Sequence, residues 1–384
     1  MRKLFIYIQI MIFCLACEHK AEEQGRAVEV KLRKSETIKI PISETVVPYS
    51  RAVFYHSSLY NRPTLSYMNQ DRNEILLFDL DSLKLYRTLS LENEGNNGVG
   101  FVFGYYFVSE DSLYITSRSG RRLFLVNDSL KVMQKIEYRE TTSGELTGAD
   151  FYSRNNINTP LIIHHNDLYL TNFLGGYYGN YSPMDVDNYK AGLKIKKDGS
   201  DIRFTSMTYP SGLWEKERKS PEYSKIQAGE KMVYLWQYHP YLYSETFDGR
   251  IDSTEILSDF YHTKIKKPKD LDAPTMLRYK LEAPSFFNLA YDPFREYYYV
   301  FVQKSYTPES QDFNHLQKLY RNTPSFSIII LDKEMKKIGE QSLPEFTYLA
   351  NNFFITEKGL YLSENNEFNP SFDENYLTFT LFEF

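Results

Sequence analysis

The sequence predicts an all-β fold made of repeated four-stranded units. Three observations support this prediction: the composition, a strand-turn-strand unit that recurs along the chain, and a spare strand near the start that matches a missing strand at the end. The chain of 384 residues contains 33 Tyr and 27 Phe, whereas alanine is sparse. Aromatic residues favour strands, and a helical bundle would need the opposite composition.

A hairpin pattern recurs from about residue 50 onward. Each copy is a short apolar strand, a tight polar turn rich in Asp, Asn or Gly, and a second strand. The predicted turns lie at 81–82, 127–129, 197–200, 248–249 and 332–334. A strand containing Leu-Tyr comes before several of these hairpins, for example at Leu113, Leu168 and Leu360. Joined together, the two units form a meander of roughly 40 to 60 residues, which is typical of the blades of a β-propeller.

The ends of the chain complement each other. The sixth unit has strands at 348–355, 360–363 and 376–384, and then the chain stops without an outer strand. The segment 36–42 alternates apolar and polar residues, and its Pro41 suits an edge strand. We therefore predict a six-bladed β-propeller whose last blade is completed by the N-terminal strand, which leaves no unpaired inner edge. A sandwich or a solenoid is the alternative, and neither needs the two ends to pair.

The first residues have the layout of an export signal. A basic start is followed by an apolar run, Leu4 to Ala16, and then by Cys17. This run is too short for a membrane span of about 20 residues and fits a signal peptide. We predict a lipoprotein signal peptide at 1–16, lipidation of Cys17 through its thiolate, an acidic flexible tether at 17–27 and the propeller at 28–384. The alternative is an ordinary secretory signal with an incidental cysteine.

Two resemblances concern location. The tetrapeptide Lys20-Ala21-Glu22-Glu23 resembles the acidic export tag of surface-exposed lipoproteins of the Bacteroidetes. Taken with Cys17 and the six loose repeats, the chain resembles the uncharacterised TolB-like six-bladed propeller lipoproteins of that phylum. The resemblance implies a lipid anchor in the outer membrane, at its periplasmic or its outer face. It implies no activity, and it carries over no functional residue except Cys17. The alternative for the tether is a merely solvated segment.

Charge and metal-ligand patterns exclude some functions. The net charge is −5 and there is no long basic run, so nucleic acid binding is excluded. The adjacent pair His164-His165 is expected to point to opposite faces of a strand, so no metal or other cofactor is predicted. Lactonase-like propellers hold a metal in the channel; Asn172, Asn288 and Asn351 lie near predicted inner strands, but they cannot be assigned as such a set.

Aromatic residues give the candidate binding site. The segment 173–181 combines glycines with tyrosines, whose flat faces and hydroxyl groups suit sugars or peptides. We predict ligand contacts by Tyr177, Tyr178, Tyr181 and Trp214, with a loop that binds nothing as the alternative. A second aromatic cluster, residues 234–243, alternates along one strand and is predicted to pack between blades.

The predicted function is a binding module for a glycan, a peptide or an envelope protein, with no catalysis identified. The alternatives are a channel-centred hydrolase or lactonase and a scaffold of an envelope complex. No Gly-x-Ser-x-Gly nucleophile motif occurs. An enzyme should bring acidic or Asn side chains together in the channel, whereas a binder should expose an aromatic patch. The Asp-Ser-Leu triplets at Asp81, Asp111 and Asp128 resemble the O-glycosylation signal of exported Bacteroidetes proteins, but we interpret them first as β-turns.

Overall fold

The computed structural model describes residues 30–117, 121–148, 155–174, 181–214, 220–262 and 272–384. These residues form six antiparallel four-stranded sheets that follow one another along the chain. The sheets are the blades of a six-bladed β-propeller, and the predicted fold class is confirmed. Cys17, the signal peptide and the tether lie outside the described residues, so lipidation stays a prediction.

Five blades are continuous in sequence, with their strands ordered from the axis outward. Blade 1 contains β2 (Val53–Leu59), β3 (Arg62–Asn69), β4 (Glu74–Asp79) and β5 (Lys84–Ser90). Blade 2 contains β6 (Val102–Ser109), β7 (Ser112–Ser117), β8 (Arg122–Asn127) and β9 (Val132–Glu137). Blade 3 contains β10 (Ile162–His164), β11 (Asp167–Thr171), β12 (Gly192–Lys196) and β13 (Ile202–Phe204). Blade 4 contains β14 (Tyr223–Ala228), β15 (Lys231–Trp236), β16 (Tyr241–Thr246) and β17 (Ile251–Glu255). Blade 5 contains β18 (Ser285–Asp292), β19 (Tyr297–Gln303), β20 (Phe326–Leu331) and β21 (Lys337–Ser342).

Blade 6 joins the two ends of the chain. Its inner strands are β22 (Leu349–Ile355), β23 (Leu360–Ser363) and β24 (Tyr376–Glu383), and its outer strand is β1 (Arg33–Pro41). Strand β1 pairs antiparallel with β24, with Ile38 opposite Phe379 and Ile40 opposite Leu377. The predicted closure is therefore confirmed. Ile40 is fully buried in the apolar cluster that blade 6 shares with blade 1, so β1 also joins neighbouring blades.

The meander gives the propeller two different faces. All first strands of the blades begin at one face, which we call the upper face, and end at the opposite, lower face. The lower face carries the hairpin turns between first and second and between third and fourth strands, each of two to five residues. The upper face carries the segments that join successive blades and those that join second to third strands.

The lower-face turns are held by short polar side chains. Oδ1 of Asn127 accepts hydrogen bonds from the backbone N of Ser129 and of Lys131, and Asp332 makes the equivalent bond to the N of Lys336. The Asp-Ser-Leu triplets at Asp81 and Asp128 lie in such turns, and the triplet at Asp111 begins in one and continues into β7, which confirms the turn interpretation.

Three α-helices among the described residues lie on the upper face. They are α1 (Pro183–Asp187), α2 (Ala273–Glu282) and α3 (Phe313–Asn322). None of these has the length and apolar character that a bilayer crossing requires. None of the three was predicted from the sequence. The start of α2 carries a signal that could have revealed it, because Asp272 caps the N of Thr275 and Pro274 follows within the first turn.

Aromatic packing joins blades 3 and 4. Tyr234, Trp236 and Tyr238 are buried, and Trp236 lies 5.6 Å from Tyr209 between ring centroids. The interpretation of this second aromatic cluster as core is confirmed for these three side chains, whereas Tyr243 is half-buried.

Candidate functional site

The upper half of the channel contains two adjoining cavities, of about 100 Å³ and about 400 Å³. They share Arg51, Asn156 and Tyr320, and we call them together the upper cavity. The smaller cavity is also lined by Asn158, Thr159, Phe173, Glu222, Tyr223, Ser224, Gln237, Phe286, Phe287 and Asn351. The larger is also lined by Tyr49, Ser50, Ala52, Met68, Gln70, Phe103, Gln317 and Arg321.

Upper-face segments from distant parts of the sequence build this cavity. Arg51 immediately precedes blade 1, Asn156 and Asn158 precede β10, and Glu222 precedes β14. Helix α3 contributes Tyr320. The lining residues come together at the axis because each first strand begins at the upper face.

Two arginines line the upper cavity: Arg321 lines only its larger part, whereas Arg51 lines both parts. The Nε of Arg51 donates a hydrogen bond of 3.1 Å to the hydroxyl of Tyr49, which also accepts one of 3.0 Å from Nδ2 of Asn351. The neighbouring Tyr49 hydroxyl, and to a smaller extent Tyr320 and Glu222, raise the pKa of Arg51 above its ordinary value. The guanidinium is therefore charged at any physiological pH. Within the described part of the chain its Nη atoms have no hydrogen-bond partner.

Three amide oxygens that belong to lining residues are buried without a partner among the described residues. They are Oδ1 of Asn158, Oε1 of Gln237 and Oδ1 of Asn351. A buried hydrogen-bond acceptor without a partner destabilises the fold by on the order of 1–3 kcal/mol. Such groups are therefore rare in native proteins, and each one calls for an explanation. Here three of them line one small cavity beside a cation, and a ligand with hydrogen-bond donors would satisfy them.

A bulge places Asn351 in the cavity. The pairing of β22 with β23 is interrupted between Leu349 and Phe353, and Asn351 lies in the interruption. Bulges redirect side chains next to functional sites. The pairing of β18 with β19 is also irregular, between Phe286 and Asn288, where Phe286 and Phe287 line the same cavity.

The lower half of the channel is apolar. A cavity of about 300 Å³ opens there, and we call it the lower cavity. Its lining is mostly aliphatic and aromatic: Val53, Phe54, Tyr55, Tyr106, Ile157, Pro160, Leu161, Ile162, Ile226, Gln227, Leu289, Ala290, Tyr291, Pro293, Phe353, Phe354 and Ile355. The titratable residues among them are all tyrosines, so none of these side chains is ionised at neutral pH.

Of the four aromatic residues predicted to contact a ligand, Tyr181 and Trp214 are described, and neither is among the lining residues of the upper cavity. Tyr177 and Tyr178 lie outside the described residues, so their role stays a prediction. Tyr181 is half-buried, with its ring edge-on to Tyr189. Trp214 is only 2% exposed and packs in the apolar cluster between blades 3 and 4, and its contact with a ligand stays a prediction.

The three asparagines near the predicted inner strands have separate roles. Asn172 joins two upper-face loops, since its Oδ1 accepts from the N of Gly148 and its Nδ2 donates to the carbonyl of Lys190. Asn288 is fully buried and donates to the carbonyl of Ala350. Asn351 alone of the three lines the upper cavity.

The histidine pair differs from the prediction. The two rings do not point apart, because His165 follows the end of β10 and adopts a left-handed backbone with φ of 53°. Their ring centroids lie 4.1 Å apart, and His164 stacks on Phe247 at 3.7 Å. No group of three or more His, Cys, Asp or Glu side chains in the described ranges could hold a metal ion.

The fold and the two cavities define a class of protein, a six-bladed propeller whose channel is polar at its upper end and apolar at its lower end. A family model described as a domain of unknown function, DUF4221, matches residues 29–342. The chain belongs to this family. No curated protein matches the chain.

Solved structures have the same fold. A member of the DUF4221 family from Bacteroides vulgatus aligns with a TM-score of 0.80 and 22% identity, over 93% of this chain and 99% of that chain. A predicted exported protein from Bacteroides fragilis aligns with a TM-score of 0.52 and 10% identity, over 93% of this chain and 95% of that chain. At these identities the similarity establishes the fold alone.

Proposed function

We propose that this protein is a lipid-anchored binding protein of the outer membrane whose upper cavity holds a small polar ligand. One observation carries the binding role: a charged arginine and three unpaired buried amide oxygens line the same cavity at the propeller axis. Ligand sites typically combine apolar walls with a few placed polar groups, and the upper cavity has both.

The carboxylates favour binding over hydrolysis. Among the described lining residues of the upper cavity, Glu222 is the single carboxylate. Glycoside hydrolysis usually needs two carboxyl groups that flank the scissile bond. A channel-centred hydrolase or lactonase and an envelope scaffold remain the alternatives, and the upper cavity offers each of them less support than it offers ligand binding.

The path of the chain favours a defined orientation on the membrane. The N of Val30 donates to the carbonyl of Ile338 near the start of β21, and Arg33 pairs with Glu383 at the end of β24. Both contacts lie at the lower face, so the chain enters the propeller there. Cys17 precedes Val30 by about 13 residues, and a fully extended segment of this length reaches at most about 45 Å. We therefore propose that the lower face is nearer the membrane and the upper cavity faces away from it.

The binding role is tested by native mass spectrometry of the purified full chain in detergent. The protein is incubated with a panel of monosaccharides, sugar acids, amino acids and dipeptides. We expect at least one retained ligand and its loss in Asn158→Leu, which removes one of the unpaired oxygens. Gln227→Leu makes the same chemical change in the lower cavity and should retain the ligand. Retention of no compound, or equal retention by Asn158→Leu, would contradict the proposal.

The anchor is tested separately in cells grown with a labelled fatty acid. We expect the label on the wild-type chain and none on Cys17→Ser. Cys14→Ser is the matched control and should keep the label, because Cys14 lies within the predicted signal peptide. Label on Cys17→Ser would overturn the anchor while leaving the binding role in place.

A further inference from the structure

We propose that Arg51 forms a carboxylate subsite and that the ligand of the upper cavity is a sugar acid, a sugar that bears a carboxylate. This inference rests on the proposed binding function and specifies the ligand class. It is drawn from the side chains that converge around Arg51.

The first step concerns the position of the guanidinium. The hydrogen bond from Nε to Tyr49 fixes one edge of the planar group, and Tyr49 is itself held by Asn351. The Nη atoms have no hydrogen-bond partner among the described residues. A fixed guanidinium with free Nη groups matches the geometry of a carboxylate.

The second step concerns Glu222, the carboxylate that lines the same cavity. It contributes to the raised pKa of Arg51. No ion pair within 4 Å joins the two side chains, although both are described. No direct ion pair with Glu222 neutralises the charge of Arg51. The carboxylate of Glu222 can therefore accept hydrogen bonds from hydroxyl groups of a ligand.

The third step concerns the rest of the ligand. Unpaired amide oxygens belong to Asn158, Gln237 and Asn351. A ligand that satisfies all three must carry several hydrogen-bond donors. The walls are aromatic at Phe173, Tyr223, Phe286, Phe287 and Tyr320, and aromatic faces pack well against the C–H faces of a sugar ring. A fatty acid would leave the amide oxygens unpaired. A sugar acid satisfies the cation, the acceptors and the aromatic walls together.

The test is calorimetric titration of the purified full chain in detergent with D-glucuronate and with D-glucose. D-glucose carries a CH₂OH group in place of the carboxylate of D-glucuronate. A hydrogen bond to a charged partner contributes enough binding free energy to lower the dissociation constant about tenfold or more. We therefore expect D-glucuronate to bind at least about tenfold more tightly than D-glucose. Arg51→Gln should remove this preference, so that the two sugars bind with similar affinity.

Three further variants keep the test decisive. Arg51→Lys retains the charge and should keep part of the preference, and it serves if Arg51→Gln does not fold. Tyr49→Phe removes the hydroxyl that fixes Arg51 and should reduce the preference for D-glucuronate over D-glucose several-fold. Arg203→Gln, an exposed position on β13 with 57% side-chain exposure, should behave as wild type.

The outcomes separate this inference from the proposed function. Binding of D-glucose as tight as that of D-glucuronate, or a preference that survives in Arg51→Gln, overturns the carboxylate subsite and leaves the binding role intact. Binding of amino acids or a long-chain fatty acid with no binding of D-glucuronate overturns the sugar acid but again keeps the binding role. If no compound of the wider panel is retained in native mass spectrometry, both fail.

Discussion

The two halves of the channel are built by the same six first strands, but they differ in chemistry. The upper half has two arginines, a glutamate and several amides among its lining, whereas the lower half is lined by aliphatic and aromatic side chains with one amide, Gln227. The difference follows from the connections. Turns of two to five residues leave little freedom at the lower face, while longer upper-face segments can carry polar groups to the axis.

This contrast indicates which half is free to serve a ligand. Apolar burial in the lower half stabilises the ring directly. The unpaired amides of the upper half contribute nothing comparable and cost stability where they stay unsatisfied. Variants in each half test this difference, and a variant at the ring closure should damage both halves.

The largest effect is expected at ring closure. Ile40→Asp places a carboxylate in the buried cluster that blade 6 shares with blade 1. An unpaired buried charge is strongly unfavourable, so we expect the free energy of unfolding to fall by about 3–5 kcal/mol. Urea denaturation measures this loss in the free energy of unfolding. Lys39→Asp puts the same residue on the exposed side of β1 and should cost below about 1 kcal/mol. Equal losses for both variants would contradict the closure role of Ile40.

The next effect isolates the lower half. Phe353 is buried and its ring stacks on Phe301 at 4.6 Å between centroids. Phe353→Ala should lower the free energy of unfolding by about 3 kcal/mol through lost burial and a cavity. Binding in the upper cavity should persist in the folded variant. Loss of stability below about 1 kcal/mol would show that the lower half does not hold the ring together.

A third change concerns a polar group buried between blades 3 and 4. Lys225 on β14 is fully buried and donates from Nζ to the carbonyl of Tyr169 at 2.9 Å. Burial lowers the pKa of Lys225 to about 7 from its ordinary 10.5. The folded state therefore binds fewer protons than the unfolded state between these values, and stability falls as the pH drops from 10.5 to 7.

Replacing this lysine should therefore stabilise the protein. We expect Lys225→Met to raise the free energy of unfolding by about 2 kcal/mol at pH 7, with a smaller gain near pH 10. Urea denaturation at the two pH values measures the difference. Lys84→Met, at an exposed position of β5, should show neither gain nor pH dependence. A destabilised Lys225→Met at pH 7 would mean that the hydrogen bond to Tyr169 outweighs the burial of the amine.

The smallest effect is expected for the upper-cavity amides. Asn158→Leu removes an unpaired oxygen and should leave the free energy of unfolding unchanged or raise it by up to about 1 kcal/mol. Asn155 is the matched control, since its Oδ1 accepts from the N of Leu161 at 2.7 Å. Asn155→Leu leaves that N unpaired and should cost about 1–3 kcal/mol. Thermal denaturation compares the two variants, and a larger loss for Asn158→Leu would argue for a structural role.

Much of the lower half could be predicted from sequence because its turns are local. Residues such as Asn127 and Asp332 make their turn bonds within four positions of the chain, so their residue types mark the hairpins directly. The alternation around Ile40 gave the closing strand in the same way. Residue type alone does not reveal whether an aromatic side chain such as that of Trp214 faces a ligand or packs in a core.

The upper cavity was beyond sequence reasoning for a physical reason. Tyr49 and Asn351 are joined by a hydrogen bond although about 300 positions separate them, and no periodicity relates the two. The bulge at Asn351 and the position of α3 over the mouth depend on tertiary packing. Arg51 was therefore missed, because a single arginine before a strand carries no local signal.

Hydrogen-deuterium exchange of the full chain, with and without the panel compound that binds most tightly, tests the central claim most directly. The account predicts slower exchange in the upper-face segments 155–159 and 220–224, with unchanged exchange in the lower-face turns at 60–61 and 293–296. Protection confined to those lower turns would contradict it and would assign binding to the apolar end of the channel.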